Sequence, residues 1–284
     1  MSAEIVGGLR ASRKSGSEAS RLVSTMSDRT LRITYIGGPT ALIDLAGTRL
    51  LTDPTFDPAG STYTTSVYTL HKSASPAIAV DALGRIDAVL LSHDHHFDNL
   101  DRSGRAMLSR ADAVITTPIG AERLGRPVIG LRSWESVELP TATQGLIRIT
   151  STPARHGPTD GDRGPVTGFV IAAAGRRVHD VYISGDTVWY EGVAEVARRF
   201  SVSVAVVFMG AARIREVGPA HLTLTAEEGV RVARAMPNAR IVPLHFEGWG
   251  HLSEGRAEID AAFAEAGMPD RLCWPVPGIA TDIA

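Results

Sequence analysis

Apolar residues along this chain come in short runs, and their spacing switches between a period of two and a period near 3.6. From residue 31, LRITYI (31–36) and TALIDLA (40–46) carry the β-branched content and alternation of strands, with Gly37, Gly38 and Pro39 turning the chain between them. TRLLTD (48–53) continues the pattern. Residues 57–80, rich in Gly, Ser, Thr, Pro and Tyr, predict a long surface loop, and loops of that length are often functional covers. IDAVLLS (86–92) is apolar with little interruption, as a strand buried on both faces requires. A helix is predicted from about Asp98 to Arg110, then a β-α-β unit through AVITT (113–117), a short helix near 118–125 and PVIGL (127–131). ESVEL, LIRITST, TGFVIAAA and RRVHDVYISGD supply strands in succession, His179 among them as a structural residue. Helical spacing returns in VWYEGVAEVARRF (188–200), in LTAEEGVRVARAM (224–236), capped by Thr223 or Thr225, and in SEGRAEIDAAFAEAG (253–267), closed by Gly267. VSVAVVFMG (202–210) and ARIVPLH (239–245) are the strands between them. No repeat or linker interrupts the chain after residue 30, so the expected organisation is one α/β domain over 30–284 behind a flexible tail, 1–29.

Composition narrows this picture without redirecting it. The chain has 284 residues, 44% hydrophobic and 21% charged, with a formal net charge of −2. That balance disfavours a nucleic-acid partner, which calls for a basic surplus on one face. A single cysteine, Cys273, leaves neither a disulfide framework nor a thiolate zinc site within one chain and fits a cytoplasmic setting. No apolar run approaches the roughly 18 residues of a membrane span, so no integral membrane association is expected. The first 30 residues lack the apolar core of a secretory signal, and Met26 is a candidate natural start.

Candidate chemistry lies in the histidines. Of nine, His93, His95 and His96 follow one predicted strand, His156 another and His245 a third, and Asp186 follows a fourth. Strand ends along one sheet edge are where α/β folds gather ligands. Imidazole and carboxylate together suit zinc first, with manganese or iron as alternatives. A phosphate-binding loop is absent, because neither glycine pair precedes a helix with a following Lys-Ser/Thr. GDTVWYEG has no nucleophile-elbow serine.

These motifs, in this order, resemble those of a known family. SHDHHFDNLD (92–101) resembles the HxHxDH signature of the metallo-β-lactamase superfamily, followed by TPARHGP (152–158), ISGDT (183–187) and VPLHFEG (242–248), with LLTDPTFDP (50–58) ahead of them. The branch most similar holds ascorbate-phosphate lactonase and N-acyl-phosphatidylethanolamine phospholipase D proteins, and His221 in HLTLTAEEGV matches a further histidine of that branch. The resemblance implies a four-layer αββα sandwich of two mixed sheets. It implies a first metal on His93, His95 and His156 and a bridging Asp186. A second metal would rest on Asp98 and His245, for one or two divalent ions in all. It further implies that Asp98 aims a hydroxide while His221 assists the leaving group, on a small lactone, ester, amide or phosphodiester. A metal-dependent oxidoreductase on the same scaffold, or a non-catalytic metal-binding protein, are the alternatives. One departure stands out: two residues, His96 and Phe97, separate His95 from Asp98 where the family has one, and Asn99 follows where it has a histidine. Either Asn99 or His96 serves as the missing ligand, or the site holds one tight metal.

Overall fold

A computed structural model of the chain describes residues 31–45, 47–141, 145–160, 163–173 and 180–283. The expected tail, 1–29, and His179 lie outside the described residues.

Alternation along the strands sorts side chains into layers. One sheet runs, from edge to edge, β15 (Thr281–Asp282), β1 (Leu31–Gly37), β2 (Thr40–Leu45), β3 (Thr48–Thr52), β6 (Ile86–Leu90), β7 (Ala111–Thr116) and β8 (Ile129–Gly130). The other runs β14 (Arg240–Leu244), β13 (Val202–Phe208), β12 (Asp180–Ile183), β11 (Thr167–Ala173), β10 (Leu146–Pro153) and β9 (Ser136–Pro140). Ile33, Ile43, Leu50, Ala88 and Leu90 of the first sheet share one core with Ile149, Ile171 and Val206 of the second. Their neighbours Leu42, Leu51 and Val89 point to the opposite face, against Leu100 and Met107. This period of two gives each sheet an inner and an outer face.

Helices cover the outer faces. Beside the second sheet lie α3 (Glu191–Arg199), α4 (Ala226–Ala235) and α5 (Arg256–Glu265), which bring Val193, Val196, Val230, Val232, Ile259 and Phe263 into the same core. The first sheet is covered by α1 (Arg102–Met107) and the segments around it, with α2 (Pro118–Leu124) packed beside β8. Thr225 caps α4 in a capping box with Glu228. The architecture is the αββα sandwich expected.

Strand direction sets where the chemistry sits. β3, β6, β7 and β8 run parallel. In the second sheet β12, β13 and β14 run parallel, and β10 shares their direction because two antiparallel pairings separate it from β12. The C-terminal ends of β10, β12 and β14 therefore meet along one edge.

Two local expectations are corrected. The helix foreseen over 98–110 begins only at Arg102, because Asp101 is its cap, accepting from Gly104 N, and a 3-10 turn takes over at Leu108. The segment 57–80 is more than a surface loop. It contains a hairpin of β4 (Thr62–Thr64) and β5 (Thr69–His71), and Tyr63, Leu70 and Trp249 form a small core of their own beneath it. Asp57 holds this segment to the start of α1, accepting from the Tyr63 hydroxyl (2.6 Å) and from Ser103 N (3.1 Å).

Candidate metal centre

Four strand ends deliver the site: β6 leads to His93 and the residues after it, β10 to His156, β12 to Asp186 and β14 to His245. Two groups of ligand-type atoms form there, His93 with His96 and His156, and Asp98 with His245 and His251. His96 Nδ1 stands 2.9 Å from His93 Nε2 and 3.2 Å from His156 Nε2. Asp98 Oδ2 stands 2.9 Å from His251 Nε2 and 3.4 Å from His245 Nε2. Asp186 spans the groups, with one carboxylate oxygen 3.5 Å from His156 Nε2 and the other 3.7 Å from His245 Nε2.

The backbone is shaped to hold these side chains. Gly185, before Asp186, has φ of +58°, and a Cβ there would lie 2.5 Å from the Thr167 carbonyl and 2.9 Å from Ser92 Cβ, so only glycine brings β12 that close. His245 takes a left-handed φ of 52°, and its N–H donates to the Gly38 carbonyl (2.8 Å). Such a conformation in a non-glycine residue is strained and is typical of functional positions.

Outer partners fix which ring nitrogens face inward. The Ser92 hydroxyl donates to Asp53 Oδ2 (2.7 Å), which leaves its oxygen to accept from His93 Nδ1 (2.9 Å). Nε2 of His93 then carries the lone pair toward the group. His156 is set the same way, its Nδ1 donating to the Leu222 carbonyl (2.8 Å). Burial, and after it the neighbouring imidazoles, holds the pKa of His93 and of His96 well below the usual histidine value, so both rings are neutral. Burial works to raise the Asp98 carboxyl, but His251 and His245 outweigh it and hold it well below the usual range. For His245 the balance is reversed: burial lowers its pKa, and Asp186, Asp98 and Asp53 together raise it above the ordinary value.

This donor set fits divalent metal. Both carboxylate oxygens of Asp186 and both ring nitrogens of His245 are fully buried without a hydrogen-bond partner, an arrangement that costs several kcal/mol unless a cation satisfies it, on the order of 1–3 kcal/mol per orphaned group and more for a charged one. Imidazole nitrogens and carboxylate oxygens, without sulfur, are ligands for zinc and for other first-row metals alike.

A family model of the beta-lactamase superfamily domain matches residues 48–246. The chain belongs to the metallo-β-lactamase superfamily. A UPF0173 metal-dependent hydrolase of Opitutus terrae is 28% identical over 86% of this chain and 97% of its own length. Among solved structures, a possible metal-dependent hydrolase of Veillonella parvula superimposes with a TM-score of 0.75 at 18% identity, over 89% of this chain and 100% of that one. The isothiocyanate hydrolase from Delia radicum gut bacteria gives 0.72 at 22% identity, over 89% and 99%. The Opitutus terrae relative is thus named as a metal-dependent hydrolase and the Veillonella parvula structure as a possible one.

The ligand-type side chains gathered at the site differ in part from the set that the resemblance implied. His93, Asp98, His156, Asp186 and His245 come together as expected. His95 does not join them. Its Nε2 donates to the Arg163 carbonyl (2.8 Å) and its Nδ1 faces an Arg123 guanidinium nitrogen (3.4 Å). His96 stands in its place because the extra residue lies between the two histidines, leaving His96-Phe97-Asp98 at the ordinary HxD spacing. Asn99 is buried beside Asp98; its Nδ2 donates to Asp53 Oδ2 (3.1 Å), supporting the carboxylate behind Ser92, and its Oδ1 has no hydrogen-bond partner. His251, six residues after His245, occupies the second group, a residue that the sequence motifs did not single out. Two histidines flanking a Gly-Trp-Gly turn were the available signal.

His221 is likewise not brought to the centre. Its Nε2 pairs with Glu228 of the α4 capping box (3.2 Å), and it is the Leu222 carbonyl, one residue on, that serves the site. Replacing His221 with alanine is therefore expected to leave metal content unchanged and hydrolytic rate within a few-fold, with at most about 1 kcal/mol of stability lost. A rate loss of 10²-fold or more in steady-state assays would restore a catalytic role to it.

Tyr68 lines the cavity over the two groups, together with Asp98, His96 and His251. Tyr63 and Trp249 are buried in the small core under the hairpin, and Trp189 packs against the main core.

Proposed function

We propose that this enzyme hydrolyses a small lactone, ester, amide or phosphodiester, with His93, His96 and His156 holding one divalent metal, Asp98, His245 and His251 a second, and Asp186 serving both. Zinc is the first candidate, and a cytoplasmic setting belongs to the same reading, supported by the lone Cys273. The observation that carries it is the pair of ligand groups joined by a buried carboxylate with no hydrogen-bond partner, below a cavity of about 140 Å³ whose lining includes His96, Asp98, His156 and His251. Among the described residues no helix is long and apolar enough to cross a membrane.

A metal in such a site supplies a water acidic enough to act as nucleophile near neutral pH and polarises the bond to be cleaved. The chain's own residues do the rest. The neutral imidazoles of His93 and His96 offer lone pairs without first losing a proton, and Ser92 and Leu222 keep their neighbours' rings from turning. In this reading Asp98, 2.9 Å from His251 Nε2 and 3.4 Å from His245 Nε2, acts as a metal ligand at the cavity floor. Val67, Ile214, Val217 and Leu222 line the cavity with apolar surface that keeps bulk water from a bound substrate.

Metal analysis of the purified protein is expected to find up to two equivalents. Because the folded state binds the ion and the unfolded state binds it weakly, removing it with a chelator should cost about 2.7 kcal/mol of stability when the free ion had stood at 100 times its Kd. Thermal melts with and without added zinc read this directly, and identical melts would refute the site. A panel of small esters, lactones, amides, phosphodiesters and isothiocyanates, assayed on protein of measured metal content, identifies the bond cleaved.

A further inference from the structure

The residue that the altered signature releases from metal binding has a second task. His95 holds the carbonyl of Arg163, and the Arg163 N–H in turn donates to the carbonyl of His156 (2.9 Å), so one short segment is tied to both sides of the metal centre. Gly164 makes the approach feasible: its φ is +101°, and a Cβ there would lie 3.1 Å from His95 Nε2. The outcome is that the Arg163 side chain lines the cavity above the metal-ligand groups.

Its guanidinium is incompletely used. One terminal nitrogen donates to the Val217 carbonyl at 3.2 Å, and Nε is buried with no partner. Among the described residues no carboxylate forms an ion pair with it. The rest of the cavity wall above the ligands is Val67, Ala212, Ile214, Val217 and Leu222, with the Tyr68 ring. A planar cation with free donors, set in apolar walls, is a receptor for a carboxylate or phosphate rather than a structural strut.

We infer that Arg163 is an anion-reading residue, so that the preferred substrate is a compact molecule with an apolar body and a carboxylate or phosphate group. His95 is a positioning residue that acts through the Arg163 backbone. This inference rests on the hydrolase reading for the word substrate, but the anion site itself stands on the geometry of the cavity.

The test uses the zinc-loaded full chain and two esters matched in length, mono-4-nitrophenyl glutarate, which carries a free carboxylate, and its neutral methyl ester. Wild type is expected to favour the anionic ester in kcat/KM by about 10- to 100-fold, the range a charge-assisted hydrogen bond provides. In Arg163→Gln that ratio should fall to near one, chiefly through KM, while Arg163→Lys keeps part of it. His95→Ala should reduce the same ratio with metal content intact. Pentanoate binding, followed by calorimetry on the same proteins, should weaken at least 10-fold in Arg163→Gln. A ratio unchanged by Arg163→Gln, or pentanoate binding equal in both proteins, overturns the inference. If neither ester is cleaved, the hydrolase reading loses support for esters, and pentanoate binding still decides the role of Arg163.

Discussion

His96→Ala is expected to strip metal from the first ligand group, and His95→Ala to leave it in place. The two residues are adjacent and chemically identical, so only their placement separates them. His96 Nδ1 lies between two other imidazole nitrogens at 2.9 and 3.2 Å, whereas both nitrogens of His95 face Arg163 and Arg123. Loss of an outer partner typically costs 10- to 100-fold in metal affinity, and loss of a ligand should exceed that, on the order of 10³-fold. Zinc titration monitored with a competing chelator, alongside hydrolysis rates, checks both variants. If His95→Ala loses the metal and His96→Ala keeps it, the assignment of the second histidine is reversed.

The second large effect lies away from the metals. Lys72 is buried, and its Nζ donates to Asp101 Oδ2 at 2.9 Å, with exposures of 4% and 0% for the two side chains. The same carboxylate accepts from Asp57 N (2.6 Å) and caps α1 through Gly104 N (2.7 Å). Lys72→Met should therefore strand a buried anion and destabilise the fold by about 3–5 kcal/mol, a loss that chemical denaturation measures. Restoring neutrality with Asp101→Asn in the same background should recover part of it. A loss below about 1 kcal/mol would show that the pair is solvated. The consequence reaches the site, because Lys72 pairs with Trp249 in an isolated β-bridge and its ammonium sits 5.3 Å from that ring, two residues before His251. Weaker metal retention by the second group is expected to accompany the lost stability.

The sequence by itself determined the architecture. Strand and helix periods are local properties, written residue by residue, and they place Ile43 and Leu50 on one face and Leu42 and Leu51 on the other before any contact is known. Four chemically capable positions, His93, His156, Asp186 and His245, each follow a strand, and strands of common direction must end at a common edge. Their convergence was therefore legible, as was the superfamily resemblance carried by the same motifs. What only the tertiary structure decided was the choice among neighbours. Whether His95 or His96 turns inward depends on a carbonyl 68 residues away, and Asn99 is taken by Asp53 across 46 residues. His221 is captured by a capping-box glutamate that served the helix, and His251 reaches Asp98 across 153 residues. The hairpin within 57–80 is held by Asp57, Lys72 and Asp101 in the same non-local way. Periodicity specifies which side of an element a residue faces, but a loop side chain has no period to obey. Its direction is set by whichever distant donor, acceptor or charge lowers its free energy most, and those partners exist only once the chain has folded.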